Sequence, residues 1–229
     1  MDARNKLDDA DRAAILPDIL LLNANTNAAM TEKMLIAARA RHTNCRAATV
    51  ARGARYISDG DAASVAAEAV SEFAETLDAD TMPDALVIAC FGDPGLWSLR
   101  DRLAIPVVGM AEASCHVACQ MGRRFAIVTG GAAWKPLLHS FVDEIGLTAR
   151  MSGIYTLAHT GDVLAEAPER ACSLIAQEID QAQSDGADVV ILGGAGLVGF
   201  AERLQYASEV PLLDSLSCAV SQAIAVSKV

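Results

Sequence analysis

Two stretches of this chain carry nearly the same pattern, and that repetition limits the folds open to it more than any other feature. Asp84-Ala-Leu-Val-Ile-Ala-Cys90-Phe-Gly-Asp-Pro-Gly95 and Asp188-Val-Val-Ile-Leu-Gly-Gly194-Ala-Gly-Leu-Val-Gly199 each read as a buried apolar strand, then a glycine-rich turn into a helix, with Cys90 and Gly194 104 residues apart. Downstream, Ile105-Pro106-Val107-Val108-Gly109 matches Val210-Pro211-Leu212-Leu213-Asp214 at an offset of 105, and upstream Ile19–Asn23 matches Ala126–Thr129 at a similar one. Three matches in the same order mark an internal duplication. Short apolar runs alternating with Ala-rich amphipathic stretches indicate β-α units around parallel sheets buried on both faces. Strands are expected near 18–23, 46–52, 84–90, 106–110, 124–129, 148–155, 187–192 and 211–214. Helices are expected near 27–41, 60–77, 94–104, 112–121, 133–145, 164–184, 197–208 and 215–226. The fold class is therefore α/β, as two pseudo-symmetric lobes of about four parallel strands each, flanked by helices and facing one another across a cleft. Lobe 1 would comprise residues 17–110 plus 214–229 and lobe 2 residues 111–213, after a polar extension over 1–16. Ligands of open parallel sheets bind at the carboxyl ends of strands, so the turns after Asn23, Cys90, Thr129 and Leu192 should share one site.

Composition narrows the function classes. With 229 residues, 52% hydrophobic and 21% charged, the chain has ample material for a core, and its 4% aromatic share leaves that core to Ala, Val, Leu and Ile. A net charge of −11, with no basic run longer than Arg123-Arg124, argues against a nucleic-acid partner, because nothing would replace the counterions of a phosphate backbone. No apolar stretch is long enough to span a bilayer, and Met1–Asp9 lacks the apolar centre of a signal peptide. A cytoplasmic protein without membrane association is expected. Its six scattered cysteines (45, 90, 115, 119, 172, 218) read as free thiols in a reducing compartment.

Cys90 ends a strand and precedes Phe91, Gly92, Asp93, Pro94 and Gly95, with Pro94 placed for a helix's first turn. A thiol near unsatisfied N–H groups and a positive helix end would have its pKa lowered, as proton abstraction or nucleophilic attack requires. The alternative is a small buried residue that only packs. The Asn23-Ala24-Asn25-Thr26-Asn27 loop offers amides and a hydroxyl to a carboxylate or carbonyl, or merely caps the next helix. Gly194, Gly196 and Gly199 form a G-x-G-x-x-G with Asp214 20 residues beyond Gly194, as in a dinucleotide fingerprint. The corresponding turn of the other repeat lacks that pattern, so both read as versions of one small-ligand loop. Cys115, His116 and Cys119 share a helix but have no third or fourth ligand in view, so no metal is expected.

Four blocks together resemble the aspartate/glutamate/hydantoin racemase family, most of all its hydantoin and allantoin racemase branch. They are Leu22–Thr31, Val87–Leu96, Pro106–Ala113 and Val210–Asp214, with Ala24 standing where the family usually has proline. The resemblance implies two pseudo-symmetric lobes, no cofactor, and a cysteine from each lobe on opposite sides of the substrate's α-carbon. Cys90 matches the first. The second belongs to a Leu-Gly-Cys-Ala-Gly motif, which here reads Leu192-Gly193-Gly194-Ala195-Gly196 and puts Gly194 where the thiol would stand. The implied activity is that of a cofactor-independent racemase or epimerase acting next to the carboxylate or carbonyl of a small acid, amino acid or hydantoin. Cys90 would carry the proton. Asn23, Asn25, Thr26, Thr129 and the N–H groups of the two glycine turns would hold the oxyanion, with Phe91, Gly92, Asp93, Gly130, Gly194, Ala195 and Gly196 around the substrate and Glu112 and Asp214 as auxiliary groups. With one thiol, an arylmalonate-type decarboxylase, a cis–trans isomerase and a non-catalytic small-acid sensor stay open. If a substitute acid fills the empty position, Cys218, Asp93 and Glu112 are the candidates. Apolar helices on a small pair of lobes suggest a homo-oligomer.

Overall fold

The computed structural model describes residues 16–228; most of the polar extension expected over 1–16 lies outside them. The first sheet contains β1 (Ile19–Asn23), β2 (Cys45–Thr49), β3 (Ala85–Ile88) and β4 (Val107–Gly109), all parallel, in the order β2-β1-β3-β4. The second contains β5 (Phe125–Gly130), β6 (Met151–Leu157), β7 (Val189–Gly193) and β8 (Leu212–Asp214), also parallel, in the order β6-β5-β7-β8. One order serves both halves, as a duplication requires. Every residue of β1, β3, β5 and β7 is buried, so these central strands are continuous apolar runs rather than alternating ones.

Helices α1 (Ala28–Arg39), α2 (Gly60–Ala74), α3 (Leu96–Arg102) and α4 (Met110–Met121) follow the four strands of the first half. In the second half come α5 (Trp134–Glu144), α6 (Gly161–Glu166), α7 (Pro168–Ser184), α8 (Phe200–Leu204) and α9 (Ser215–Val226). Their starts follow local rules: Asn27, Asp59 and Asp214 each cap a helix by accepting an N–H bond from Met30, Ala62 and Ser217. The last helix of each half crosses over, α4 packing on β7 of the second sheet and α9 on β3 and β4 of the first. In both sheets the chain reverses its winding direction between the two central strands, and ligands bind at such switch points. Asn23 and Cys90 stand at one, Thr129 and Gly194 at the other.

Three expected elements differ. The single helix expected over 164–184 is two, broken at Ala167 (φ −130°, ψ 68°), because the residue before Pro168 is pushed out of helical geometry. Instead of one helix over 197–208, a 3₁₀ turn (Ala195–Leu197) is separated by Gly199 at φ +89° from α8, which runs on into a second 3₁₀ turn (Gln205–Ala207). In the first half, Pro94 lies outside α3, which starts after Gly95 at φ +80°.

Candidate active site

The carboxyl ends of β1, β3, β5 and β7 converge on one cavity between the lobes. Cys90 faces it from the turn after β3 and is 8% exposed. Its carbonyl accepts the Asp93 N–H at 3.1 Å, closing a turn in which Gly92 (φ +116°), Asp93 (φ +50°) and Gly95 (φ +80°) all adopt positive φ. Two aromatic rings lock this turn to the other lobe. A Cβ on Gly92 would fall 2.6 Å from the Trp134 ring, and one on Gly193 would fall 2.5 Å from the Phe91 ring. Each lobe thus leaves out a side chain where the other inserts a ring.

Burial pushes the Cys90 thiol up to about 12, and the neighbouring Asp93 carboxylate adds to the shift. This corrects the expectation of a lowered pKa. Helix α3 begins six residues after Cys90, too far for its dipole to act, since that effect fades within a turn. Desolvation of the thiolate and a nearby like charge prevail instead.

The Asn-rich loop divides its labour. Asn23 is wholly buried; its Nδ2 donates to Asn25 Oδ1 (3.0 Å) and Thr31 Oγ1 (2.9 Å), and its Oδ1 accepts the Asn25 N–H at 3.1 Å. It braces the loop from behind. Asn25 forms part of the cavity wall, where its Nδ2 has only the Met30 thioether as a partner, at 3.7 Å. Thr26 lies outside the wall and donates its N–H to Ala54 O at 3.1 Å.

On the second lobe Thr129 Oγ1 donates to Gly193 O at 2.9 Å. Gly194 has φ +114° and donates its N–H to Ser215 Oγ at 3.3 Å. The following 3₁₀ turn closes with Leu197 N–H on Gly194 O at 2.9 Å, and the opening N–H groups of such a turn, Ala195 and Gly196, have no partner within it. Gly130, Ala195 and Gly196 all belong to the cavity wall. Gly196 lies flat on Gly161, where a Cβ would sit 2.1 Å from the Gly161 oxygen.

The structure places Asp93, Glu112, Asp214 and Cys218 away from the wall. Asp93 accepts the N–H groups of Ala111 and Glu112, each at 2.8 Å, at the start of α4. Glu112 pairs with Arg100, whose Nη1 lies 3.0 Å from Oε1. Asp214 caps α9 and also accepts the Gly199 N–H at 2.8 Å. Cys218 lines a separate groove with Arg41 and Asp214. Gly92 also lies outside the wall, against the Trp134 ring that belongs to it.

Reading by motif passes over Tyr56, Ile57 and Trp134, all in the wall. The segment between β2 and α2 reaches across the cleft: Tyr56 Oη accepts the Gly161 N–H at 2.9 Å, and Trp134 Nε1 donates to Ile57 O at 3.1 Å. Of the chain's 2 Trp, 3 Tyr and 5 Phe, three (Tyr56, Phe91 and Trp134) wall this cavity.

Comparison with known proteins agrees with this fold. The family model described as Asp/Glu/Hydantoin racemase matches residues 19–223. A hydantoin racemase of Paenarthrobacter aurescens is 34% identical over 213 residues, covering 90% of each chain. A hydantoin racemase of Rhizobium meliloti is 33% identical over 210 residues, covering 90% of this chain and 86% of its own. The crystal structure of an allantoin racemase from Pseudomonas fluorescens superposes with a TM-score of 0.85 at 28% identity, covering 92% of this chain and 90% of that one. Arylmalonate decarboxylase shares the fold at 13% identity, with a TM-score of 0.66 over 91% of this chain and 92% of its own. The chain belongs to the Asp/Glu/hydantoin racemase family and is an enzyme of its racemase type.

Proposed function

We propose that the enzyme removes and returns the proton on the carbon next to a carbonyl of a small substrate, with Cys90 as the proton carrier, and that a hydantoin suits the site better than a free acid or amino acid. The carrying observation is the chemistry of the wall. Among the described residues it contains no Lys, Arg, His, Asp or Glu; its polar groups are the Cys90 thiol, the Tyr56 hydroxyl, the Asn25 amide, the Thr129 hydroxyl and backbone amides. A carboxylate or ammonium taken into such a site would lose its hydration without a counter-charge. A neutral imide ring would find neutral donors and acceptors. The same argument weighs against decarboxylation of a malonate, which brings two carboxylates.

The thiolate would take the α-proton, and the electron pair left on carbon would move onto the carbonyl oxygen. The N–H groups of Ala195 and Gly196 and the Asn25 amide, all in the wall, would donate to that oxygen, a preorganised stabilisation often worth several kcal/mol. Because the thiol is neutral in the free enzyme, the reactive fraction grows with pH. Exchange of the α-hydrogen of benzylhydantoin in deuterated buffer, followed by NMR, tests the reading. The wild-type enzyme should exchange it, with a rate that climbs between about pH 7 and 10 without levelling at the ordinary thiol value of 9.0. For the enantiomer whose α-hydrogen faces Cys90, Cys90→Ser should abolish exchange while leaving the chain folded. Undiminished exchange in that variant would remove Cys90 from the mechanism.

A further inference from the structure

We propose that Tyr56 is the second proton-transfer group of this site, serving the side of the cleft where Gly194 has no side chain. The inference rests on the proton-carrier reading of Cys90 and adds the partner that racemisation needs. A racemase must remove a proton from one face of the α-carbon and deliver one to the other, and a glycine can do neither. Among the described residues, Cys90 and Tyr56 alone bring ionisable side chains to the cavity wall. The substitutes suggested by sequence, Cys218, Asp93 and Glu112, are held elsewhere by the contacts described above.

Tyr56 leaves from the first lobe but ends on the second. Its Oη accepts the Gly161 N–H at 2.9 Å. A Cβ built on Gly161 would lie 3.3 Å from that oxygen and 3.4 Å from Gly196 Cα, so the phenol oxygen and Gly196 flank the same point of the Gly161 backbone. Cys90 enters the same cavity from the end of β3 in the first lobe. Because Oη is the acceptor toward Gly161, its own hydrogen remains available to the cavity. Burial raises its pKa and keeps it protonated, ready to act as an acid, while the Gly161 N–H favours the phenolate once the proton has left.

The step balances. The Cys90 thiolate takes the α-proton, breaking C–H and forming S–H, and the electron pair moves to the carbonyl oxygen. The enolate carbon then takes the Tyr56 proton on its other face, breaking O–H and forming C–H. The enzyme is left with a thiol and a phenolate, and one proton passing from the thiol through solvent to the phenolate restores the starting state. In the reverse direction the two groups exchange roles.

Tyr56→Phe removes the oxygen and keeps the ring. With benzylhydantoin as the probe, racemisation by this variant, read by polarimetry, should fall about 10²- to 10⁴-fold, the usual worth of a positioned acid. Deuterium uptake with retained configuration, for the enantiomer whose α-hydrogen faces Cys90, should remain within about threefold of wild type, which also shows that the variant is folded. Unchanged racemisation would overturn the assignment. Equal loss of exchange and racemisation would overturn it too, by making Oη only a brace for Gly161. Absence of exchange by the wild-type enzyme, or survival in Cys90→Ser of exchange for the enantiomer whose α-hydrogen faces Cys90, would instead bring down the underlying reading of the site and this inference with it.

Discussion

Cys90 and Gly194 occupy equivalent places in the two repeats, yet their backbones differ. Gly194 sits at φ +114° and ψ 149°, a region that costs an L-residue about 1–3 kcal/mol, whereas Cys90 is not among the residues with positive φ. The second turn is therefore reshaped, and is more than the first turn with a side chain deleted. Space is not the obstacle, because a Cβ at Gly194 would meet nothing nearer than Thr129 Oγ1 at 3.8 Å. Gly194→Cys should accordingly fold but lose about 1–3 kcal/mol in urea unfolding; an undiminished midpoint would mean that the turn relaxes freely into ordinary geometry. The strand-end members of the cavity wall, such as Asn25, Cys90 and Thr129, could be located from sequence because apolar runs mark where strands stop. Tyr56 and Trp134 could not, since they come from a loop and a helix start whose meeting depends on how the lobes pack. The direction of the Cys90 shift was also beyond motif reading. It turns on burial and on where α3 begins, and Gly95 delays that start beyond Pro94.

At the ends of β4 and β8 the two halves solve one problem by reciprocal means. In each, the turn after a central strand must be tied to the start of the helix after the edge strand. In lobe 1 the turn supplies the carboxylate, Asp93, and the helix start supplies the N–H groups of Ala111 and Glu112. In lobe 2 the helix cap supplies the carboxylate, Asp214, and the turn supplies the Gly199 N–H. Gly109, the counterpart of Asp214, has no room for a side chain, because a Cβ there would fall 2.1 Å from Asp93 Oδ2. Burial raises Asp93 to about 7 despite its two N–H partners, so this tie contains both the more costly and the more necessary carboxylate. Asp93→Ala leaves two buried N–H groups without acceptors and puts alanine at φ +50°, and should cost about 2–4 kcal/mol. Asp214→Ala removes a half-buried cap and should cost about 0.5–2 kcal/mol. Urea titrations of the two variants check the order, and the reverse order would show that burial does not set the value of the tie. The repeat itself was legible because central parallel strands are uninterrupted apolar runs. The exchange of roles between Asp93 and Asp214 was not, since a carboxylate in a turn and one at a cap look unrelated until their N–H partners are known. The break before Pro168 follows from a rule that sequence states openly, but the Ala-rich run on both sides masks it.

The lobes are two in topology but share a central interior, with a second cluster around Val128, Val190 and Leu192 belonging to the second lobe alone. A single core cluster joins Ile19, Leu22 and Ile88 of the first sheet to Ile127, Val189 and Ile191 of the second. The crossed helices and the Phe91 and Trp134 rings fasten the two sides of the cleft. Such a molecule should unfold in one cooperative step, and any group buried anywhere in it should register in its global stability. That makes its thiols informative. All six cysteines are free; Cys90 is pushed up to about 12, and Cys45 and Cys218 to about 11, burial being the largest cause in each case. Their folded pKa values thus exceed the unfolded value near 9. These thiols are neutral in both states below pH 9, so their contribution is complete there. Above it the unfolded chain releases protons that the folded one keeps, and stability falls as pH climbs from 9 through 11 to 12. At about pH 10.5 each such thiol should cost on the order of 1–2 kcal/mol. The net charge of −11 acts in the same direction through self-repulsion, but about 0.5 M salt screens that repulsion and leaves thiol ionisation in place. Urea midpoints should therefore drop between about pH 8 and 10.5 even at high salt, and the drop should shrink in Cys90→Ala. A flat profile at high salt would mean that the thiols ionise as readily in the folded enzyme as in the unfolded chain, and would remove the neutral resting thiol on which the proposed pH-dependence of exchange depends.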